Sequence, residues 1–276
     1  MQRHVRMMPT NLVASMLLLH RKGICEEELE KRVKWLGQDL QQRGIMLSTE
    51  GLPSTNTLKI GLTHLKDYLN HRRDIIEPGI IPYPKMDYKN ILMLGYYRNP
   101  LNHVYFNEGV ISVSMLSFSD KKPWDELSGI TPDDLYQRAA FLSSLLKREE
   151  VLKHRLHHSR EAFDQTLQYM LQRKVLQSKN GQVSMLPSME ALVVFAASLV
   201  WPMVDSYYAT LLFCLSLVKN KSVEASQVSK RVQWLGESLF EEKTIMFFEA
   251  CNQESIKNAV NELIEMKVLQ RTSVFL

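Results

Sequence analysis

Two side chains near the middle of the chain are spaced as a catalytic pair would be. His103 and Glu108 stand five residues apart in the segment HVYFNE. An acid that orients an imidazole allows it to act as the general base that deprotonates a hydroxyl group. The alternative is the start of a buried helix, capped by Asn99 with Pro100 in its first position. The inward-facing residues would then be Leu101, Val104 and Tyr105. We favour the helix.

Two other groups could also bind a ligand. His154, His157 and His158 have the i, i+3, i+4 spacing of metal ligands on a helix, but no nearby cysteine or pair of acids supplies a fourth ligand. Solvated basic surface explains them better. Arg98 closes the segment LMLGYYR, which we interpret as a strand; its guanidinium could bind phosphate, although attachment of the strand to the next helix is the favoured role. We predict no catalytic, cofactor-binding or metal-binding residue, and keep Arg98 and His103 as candidate phosphate or interface contacts.

The composition is that of a globular protein in a reducing environment. The chain has 276 residues, of which 45% are hydrophobic and 23% charged, so we expect most of its length to be ordered. A net charge of +4 does not require nucleic acid as a partner, and it suits an anionic membrane surface or an acidic partner. Cys25, Cys214 and Cys251 are widely spaced, which indicates neither a disulfide framework nor a zinc site. We expect Cys214 to be a small hydrophobic side chain, and we expect no signal peptide.

Residues 191–218 raise the question of a membrane span. They contain a single charge, Asp205, in a run long enough to cross a bilayer. Asp205 lies at the centre of the run, where a charge is most costly, and Pro202 interrupts the helical hydrogen bonds. We predict a helix break near Trp201 and Pro202, two core helices and no transmembrane span. A buried Asp205 must then find a hydrogen-bond partner or a water-facing position.

The chain contains an internal repeat. Residues 31–37 (KRVKWLG) recur as residues 230–236 (KRVQWLG), and a fainter copy lies between them. The pattern predicts three related units of helix, helix, short strand, helix and hairpin, over residues 1–98, 99–187 and 188–276. The fold class is mainly α with small β-hairpins (α+β). Trp35 and Trp234 occupy equivalent positions, so we expect both to pack between helices.

Apolar stripes and turn residues define the parts of each unit. The second helix of the first unit carries Leu29, Val33, Leu36 and Leu40 on one face. The middle helix places its apolar side chains at Leu135, Ala139, Leu142 and Leu146, after a Thr131 cap. The third unit has Val228, Val232, Leu235 and Leu239. Hairpins are predicted around residues 77–79 (EPG) and around residues 179–181 (KNG), where Asn-Gly suits a type I′ turn.

A helical unit followed by a hairpin resembles a winged helix, which opens a nucleic-acid alternative. A DNA-binding helix should expose basic and amide side chains. Residues 64–73 (HLKDYLNHRR) supply them, but acids dominate the corresponding residues 254–265. Mixed charge favours a scaffold, and the independent interaction or nucleic-acid-binding module remains the alternative.

Two segments carry a resemblance to a known family. Residues 8–22 (MPTNLVASMLLLHRK) and residues 96–116 (YYRNPLNHVYFNEGVISVSML) resemble the C-terminal half of the glycerol-3-phosphate acyltransferase and dihydroxyacetone-phosphate acyltransferase family. The catalytic half of that family carries a His-x-x-x-x-Asp box, in which Asp orients the general base. None of the eight histidines here has an Asp five residues further on. Residues 106–109 (FNEG) are similar to the family's Phe-x-Glu-Gly phosphate box, but Val110 and Ile111 replace the Arg and Ser that follow it.

The resemblance implies a role without catalysis by this chain. It implies the non-catalytic C-terminal part of a mitochondrial-type glycerol-3-phosphate acyltransferase, which packs on the catalytic domain in cis or in trans and supports it. The family enzyme transfers an acyl group from acyl-CoA to the sn-1 hydroxyl of glycerol 3-phosphate in glycerolipid synthesis. Acyl-CoA is thus a substrate, and no cofactor, metal or nucleic acid is expected. The implied location is a peripheral membrane surface at the mitochondrial outer membrane facing the cytosol, with the peroxisomal or endoplasmic reticulum membrane as alternatives.

Overall fold

A computed structural model describes residues 6–48, 54–73, 80–118, 130–149, 159–217 and 223–271. The chain divides into two compact units, Met1–Asn102 and His103–Leu276. The division into three repeats stays a prediction. Over the described residues the chain is mainly helical with two small antiparallel hairpins, which confirms the predicted fold class.

The first unit is a helical core with a hairpin. Its helices are α1 (Pro9–Leu19), α2 (Glu26–Gln42), α3 (Ser54–Leu65) and α4 (Tyr88–Arg98), and its strands are β1 (Leu69–Arg73) and β2 (Ile80–Pro84). Helix α1 has no charged residue, is buried on nearly all sides and packs against the other three helices. Gly61 allows α3 to approach closely, because a Cβ there would lie 2.5 Å from the Val13 Cγ2 atom.

The stripe predicted for α2 is confirmed, and the strand predicted to follow α2 is reduced to a single bridge. Leu29, Val33, Leu36 and Leu40 are all fully buried. Met7 and Leu47 form an isolated parallel bridge, in which the Met7 N–H donates to the Met46 carbonyl at 2.9 Å. Strands β1 and β2 pair as predicted around residues 77–79, which lie outside the described residues.

The described part of the second unit contains six helices and a second hairpin. The helices are α5 (Asn102–Leu116), α6 (Pro132–Leu145), α7 (Arg160–Gln172), α8 (Glu190–Ser216), α9 (Ala225–Glu241) and α10 (Gln253–Glu265), and the strands are β3 (Leu176–Lys179) and β4 (Gln182–Met185). Between the strands Asn180 and Gly181 have φ angles of 52° and 74°, which confirms the type I′ turn. A 3-10 helix, Phe248–Cys251, stands where the repeat predicted a strand.

The predicted cap of α6 and the predicted apolar stripes of α6 and α9 are confirmed, whereas the predicted cap of α5 is wrong. The Thr131 hydroxyl accepts the Asp134 N–H at 3.1 Å, which confirms the cap of α6. The stripes of α6 and α9 face inward as predicted. Asn99 does not cap α5: its φ and ψ of −50° and −35° are helical, and Asn99–Leu101 form a 3-10 turn that joins α4 to α5. Pro100 tolerates this turn because its ring already fixes a helical φ.

The predicted break near Trp201 and Pro202 is wrong. Helix α8 runs without interruption through Pro202 for 27 residues. An interior proline costs about 3 kcal/mol, whereas each buried apolar side chain contributes about 1.5–3 kcal/mol. Leu199, Val200 and Met203 on both sides of Pro202 are buried, so packing outweighs the lost hydrogen bond.

One described helical stretch could cross a membrane by length and composition. It spans Pro187–Ser216, and 56% of its most apolar 18-residue window is buried within the fold. A core helix passes the same test, so the absence of a transmembrane span stays a prediction.

Candidate functional site

The segment that precedes Arg98 is helical, which corrects the predicted strand. Residues LMLGYY lie inside α4, whose N-cap Asp87 accepts the Asn90 N–H at 3.1 Å. Ile91 and Leu94 are buried three residues apart, the spacing of a helix face. Arg98 ends the helix and is only 5% exposed, so protein encloses its guanidinium. Its role as a phosphate or interface contact stays a prediction.

His103 and Glu108 point in different directions from their helix, so the absence of a catalytic pair stays a prediction. Both lie on α5, and five residues of α-helix rotate a side chain by about 140° around the axis. His103 is exposed, whereas Glu108 is buried. Gly109 has a packing role instead, because a Cβ at this position would lie 2.6 Å from the Ala196 carbonyl oxygen of α8. His103 as a phosphate or interface contact stays a prediction.

In the part of the chain that the structure describes, no cluster of side chains is arranged to bind a metal ion, and the buried cysteines are not activated as nucleophiles. No group of three His, Cys, Asp or Glu side chains there could hold a metal ion, and residues 154–158 lie outside it. Burial raises the pKa of the Cys214 thiol. Burial, assisted by the carboxylates of Glu237, Glu249 and Asp205, raises the pKa of Cys251 to about 12. Both thiols are therefore protonated near neutral pH and are poor nucleophiles.

A cluster of charged side chains joins the end of α6 to α10. The Arg148 Nε donates to Glu262 Oε2 at 2.9 Å, and a second guanidinium nitrogen of Arg148 pairs with Glu265. The Lys147 ammonium contacts Glu262 at 3.1 Å and Glu265 at 2.6 Å. Glu262 is 2% exposed, and the two cations that it shares with Glu265 compensate its buried charge. This network fixes the end of the α6 segment on α10.

Glu149 continues the network into the core. Its Oε2 accepts the Ser255 hydroxyl at 3.1 Å, and the residue is 6% exposed. Burial raises the pKa of the Glu149 carboxyl, while the hydrogen bond from Ser255 opposes the rise. Burial also raises the pKa of Tyr207, and the nearby carboxylates of Glu149 and Glu262 add to the effect. These groups are buried and lie between helices, which is the geometry of a structural polar core.

Asp205 finds the partner that its burial requires. Its Oδ2 accepts the Met246 N–H at 3.2 Å, and the residue is 7% exposed. Burial raises the pKa of Asp205 to about 6, and hydrogen bonds from Met246, Phe247 and Trp201 limit this rise. Asp205 thereby ties α8 to the turn after α9. The expectation of a hydrogen-bonded Asp205 is confirmed.

Comparison with known protein families decides the identity of the chain. Residues 1–272 match the glycerol-3-phosphate acyltransferase C-terminal region. The chain belongs to this family. No curated protein matches the chain.

In this acyltransferase C-terminal region, the first family-like segment contacts the start of the second. The Asn11 Nδ2 donates to the Tyr97 carbonyl at 2.7 Å, and its Oδ1 accepts the Met8 N–H at 2.7 Å. Asn11 is 7% exposed, so it satisfies two backbone groups at the packed end of α1. This hydrogen bond therefore joins residues 8–22 to the start of residues 96–116 within the first unit.

The acyltransferase C-terminal region also exposes an uncharged stripe that the sequence analysis missed. Tyr208, Leu211 and Leu215 on α8 are 43%, 38% and 66% exposed, with Val204 one turn earlier half-buried. Their spacing of three and four residues could have indicated one helix face. We call Val204, Tyr208, Leu211 and Leu215 the α8 stripe.

The exposure of Trp234 corrects the expectation that this side chain packs between helices. Trp234 is 68% exposed, so the prediction that it packs between helices is wrong, whereas Trp35 is half-buried. Val232 and Leu235 already fill the inward face of α9, and a side chain at the position between them points away. No local signal predicted the Glu149 and Glu262 network, because its two halves, residues 147–149 and residues 255–265, are more than 100 residues apart.

Proposed function

We propose that this chain is the non-catalytic C-terminal part of a glycerol-3-phosphate O-acyltransferase, and that it packs on the catalytic domain and supports it. The observation that carries the proposal is the family match over residues 1–272 in a sequence without a His-x-x-x-x-Asp box. The reaction supported would be transfer of an acyl group from acyl-CoA to the sn-1 hydroxyl of glycerol 3-phosphate. The different exposure of His103 and Glu108 on α5 is consistent with the proposed absence of turnover by this chain alone.

We assign the contact with the catalytic domain to the α8 stripe. Tyr208, Leu211 and Leu215 expose apolar surface without a neighbouring charge on the same face, and Asp205 turns inward to accept the Met246 N–H. Uncharged aromatic and aliphatic side chains are typical of the centre of a protein interface. The occupant proposed is an apolar surface of the catalytic domain, supplied in cis or in trans.

An acyl-transfer assay with separately purified parts tests both statements. The chain alone should show no turnover. When it is added to a glycerol-3-phosphate acyltransferase catalytic domain, it should bind that domain and increase the domain's activity or half-life. Leu211→Ser with Leu215→Ser should weaken the association, whereas Phe141→Ser, an exposed apolar residue on α6, should not. Turnover by the chain alone that His103→Ala abolishes would overturn the proposal, as would a catalytic domain that neither binds the chain nor responds to it.

The finer location proposed is the mitochondrial outer membrane, with this region facing the cytosol. The supporting observations are the family match and the apolar stretch Pro187–Ser216. Fractionation of cells that express the chain together with its catalytic domain tests it. Recovery in the peroxisomal or endoplasmic reticulum fraction would favour the alternative locations and contradict the mitochondrial one.

A further inference from the structure

The two units carry different charges. The first unit, residues 1–102, contains 15 Lys and Arg against 10 Asp and Glu, whereas residues 103–276 contain 19 against 20. The net positive charge of the whole chain therefore resides in the first unit. Four of its acids, Glu26, Glu27, Glu28 and Glu30, cluster at the start of α2. The remainder of the unit is correspondingly more basic.

The first hairpin displays cations on both of its faces. Asn70, His71, Arg72 and Arg73 of β1 are all exposed. Arg72 donates to the Lys22 carbonyl at 3.1 Å, which directs it toward the protein. Arg73 and His71 lie on the other face because side chains alternate along a strand. Arg73 pairs with Ile80 of β2, which is 47% exposed, so a cation stands beside an exposed aliphatic side chain.

Helix α4 continues the same combination of cations and apolar side chains. Met86, Tyr88 and Tyr96 are 51%, 63% and 69% exposed, and Lys89 is also exposed. The helix itself contains no acidic residue, and its exposed N-cap Asp87 adds one negative charge between Met86 and Tyr88. We call Arg73, Ile80, Met86, Tyr88, Lys89 and Tyr96 the hairpin–α4 surface.

Contacts at the base of the hairpin attach it to α4. The Lys85 N–H donates to the Tyr68 carbonyl at 2.9 Å, and the Tyr68 and Tyr97 rings lie 6.1 Å apart. Tyr97 in turn lies 6.0 Å from Tyr96. The hairpin and the exposed residues of α4 therefore belong to one packed part of the first unit.

From these observations we infer that the hairpin–α4 surface binds the anionic face of a lipid bilayer. Lys and Arg side chains attract acidic headgroups, Tyr side chains suit the boundary between headgroups and acyl chains, and Ile and Met can enter the acyl region. A nucleic-acid surface would satisfy the cations but would leave Ile80 and Met86 in water. The inference deepens the proposed function, because it names the surface by which this region would contact the membrane.

Vesicle co-sedimentation of the full chain tests the inference. Binding should be stronger to phosphatidylcholine vesicles that contain phosphatidylserine than to phosphatidylcholine alone, and it should decrease as salt is added. Arg73→Gln with Lys89→Gln should weaken binding by about fivefold for each cation removed. Lys31→Gln with Lys34→Gln removes the same charge from α2 and should leave binding within about twofold. Ile80→Ser with Met86→Ser should weaken binding without changing its salt dependence.

Several outcomes would overturn the inference. One is the absence of binding to phosphatidylserine vesicles, and another is an equal loss in the Lys31 and Lys34 control, which would show a response to net charge alone. Binding of a DNA duplex that depends on Arg73 and Lys89, with none to vesicles, would favour the nucleic-acid alternative. Far-ultraviolet circular dichroism of each variant distinguishes lost binding from lost folding. The acyl-transfer test of the proposed function is performed in detergent without vesicles. The proposed function and the membrane-binding inference can therefore fail separately.

Discussion

The side-chain amide of Asn11 donates a 2.7 Å hydrogen bond to the carbonyl of Tyr97, 86 residues further along the chain. This contact joins α1 to the end of α4, the two elements that carry the family-like sequence of the first unit. Replacement of Asn11 by Leu should lower the free energy of unfolding by about 1–3 kcal/mol, because the Tyr97 carbonyl and the Met8 N–H both lose a partner in a buried place. Urea denaturation measures the change.

Asn56→Ala on α3 is the matched control for Asn11, because Asn56 is exposed. We expect its unfolding free energy to stay within about 0.5 kcal/mol of the unmodified chain. An Asn11 variant as stable as this control would show that the hydrogen bond contributes nothing to the fold.

The two acids of the α10 network should differ in importance. Glu262 is 2% exposed and serves both Lys147 and Arg148, whereas Glu265 is exposed. Glu262→Ala should lower the unfolding free energy by about 1–3 kcal/mol, because Arg148 and Lys147 are themselves one-third exposed and water partly replaces the lost partner. Glu265→Ala should have a smaller effect. Thermal unfolding of both variants measures the order, and a larger loss for Glu265→Ala would contradict it.

Asp205 should make the stability of the chain depend on pH in a defined direction. The pKa of its carboxyl is about 6 in the folded chain and near 3.8 when exposed, so the folded state holds this proton more tightly. Its contribution is greatest below pH 4 and is lost as the pH rises toward 6. Asp205→Asn removes the charge, so its stability relative to the unmodified chain should rise by about 1–3 kcal/mol between pH 4 and pH 8.

The pH comparison needs both proteins at both pH values. Glu149 also has a raised pKa, and the difference between the unmodified chain and Asp205→Asn cancels its contribution. Urea denaturation near pH 4 and at pH 8 should show that the stability of Asp205→Asn relative to the unmodified chain is greater at the higher pH. The same difference at both pH values would show that the carboxyl does not titrate as its burial requires.

Two glycines should respond to alanine in a set order. A Cβ at Gly109 would lie 2.6 Å from the backbone oxygen of Ala196, whereas a Cβ at Gly236 would lie 3.1 Å from the sulfur of Cys251. A backbone oxygen within a buried helix cannot withdraw, but a thiol side chain can move by a few tenths of an ångström. Gly109→Ala should therefore destabilise the fold by about 1–3 kcal/mol, and Gly236→Ala should have a clearly smaller effect. Chemical denaturation ranks them, and the reverse order would contradict the close approach of α5 and α8.

Short-range chemistry made part of the fold readable in the sequence. The stripe of Leu29, Val33, Leu36 and Leu40 required one helix face to be buried, and Asn180 with Gly181 required a turn with two positive φ angles. The missing His-x-x-x-x-Asp box and the two family-like segments were equally legible, because they depend only on residue order. These features need no knowledge of distant contacts.

Tertiary packing decided the rest, because it opposes local preference. Pro202 favours a break, yet the burial of Leu199, Val200 and Met203 holds α8 intact. The sequence indicated that Asp205 needed a partner, but only the fold could bring Met246 to it, 41 residues away. Likewise, repeat position predicted the same environment for Trp35 and Trp234, whereas exposure depends on which neighbours cover each helix. A sequence specifies the preference of each segment, and the three-dimensional contacts determine which preference prevails.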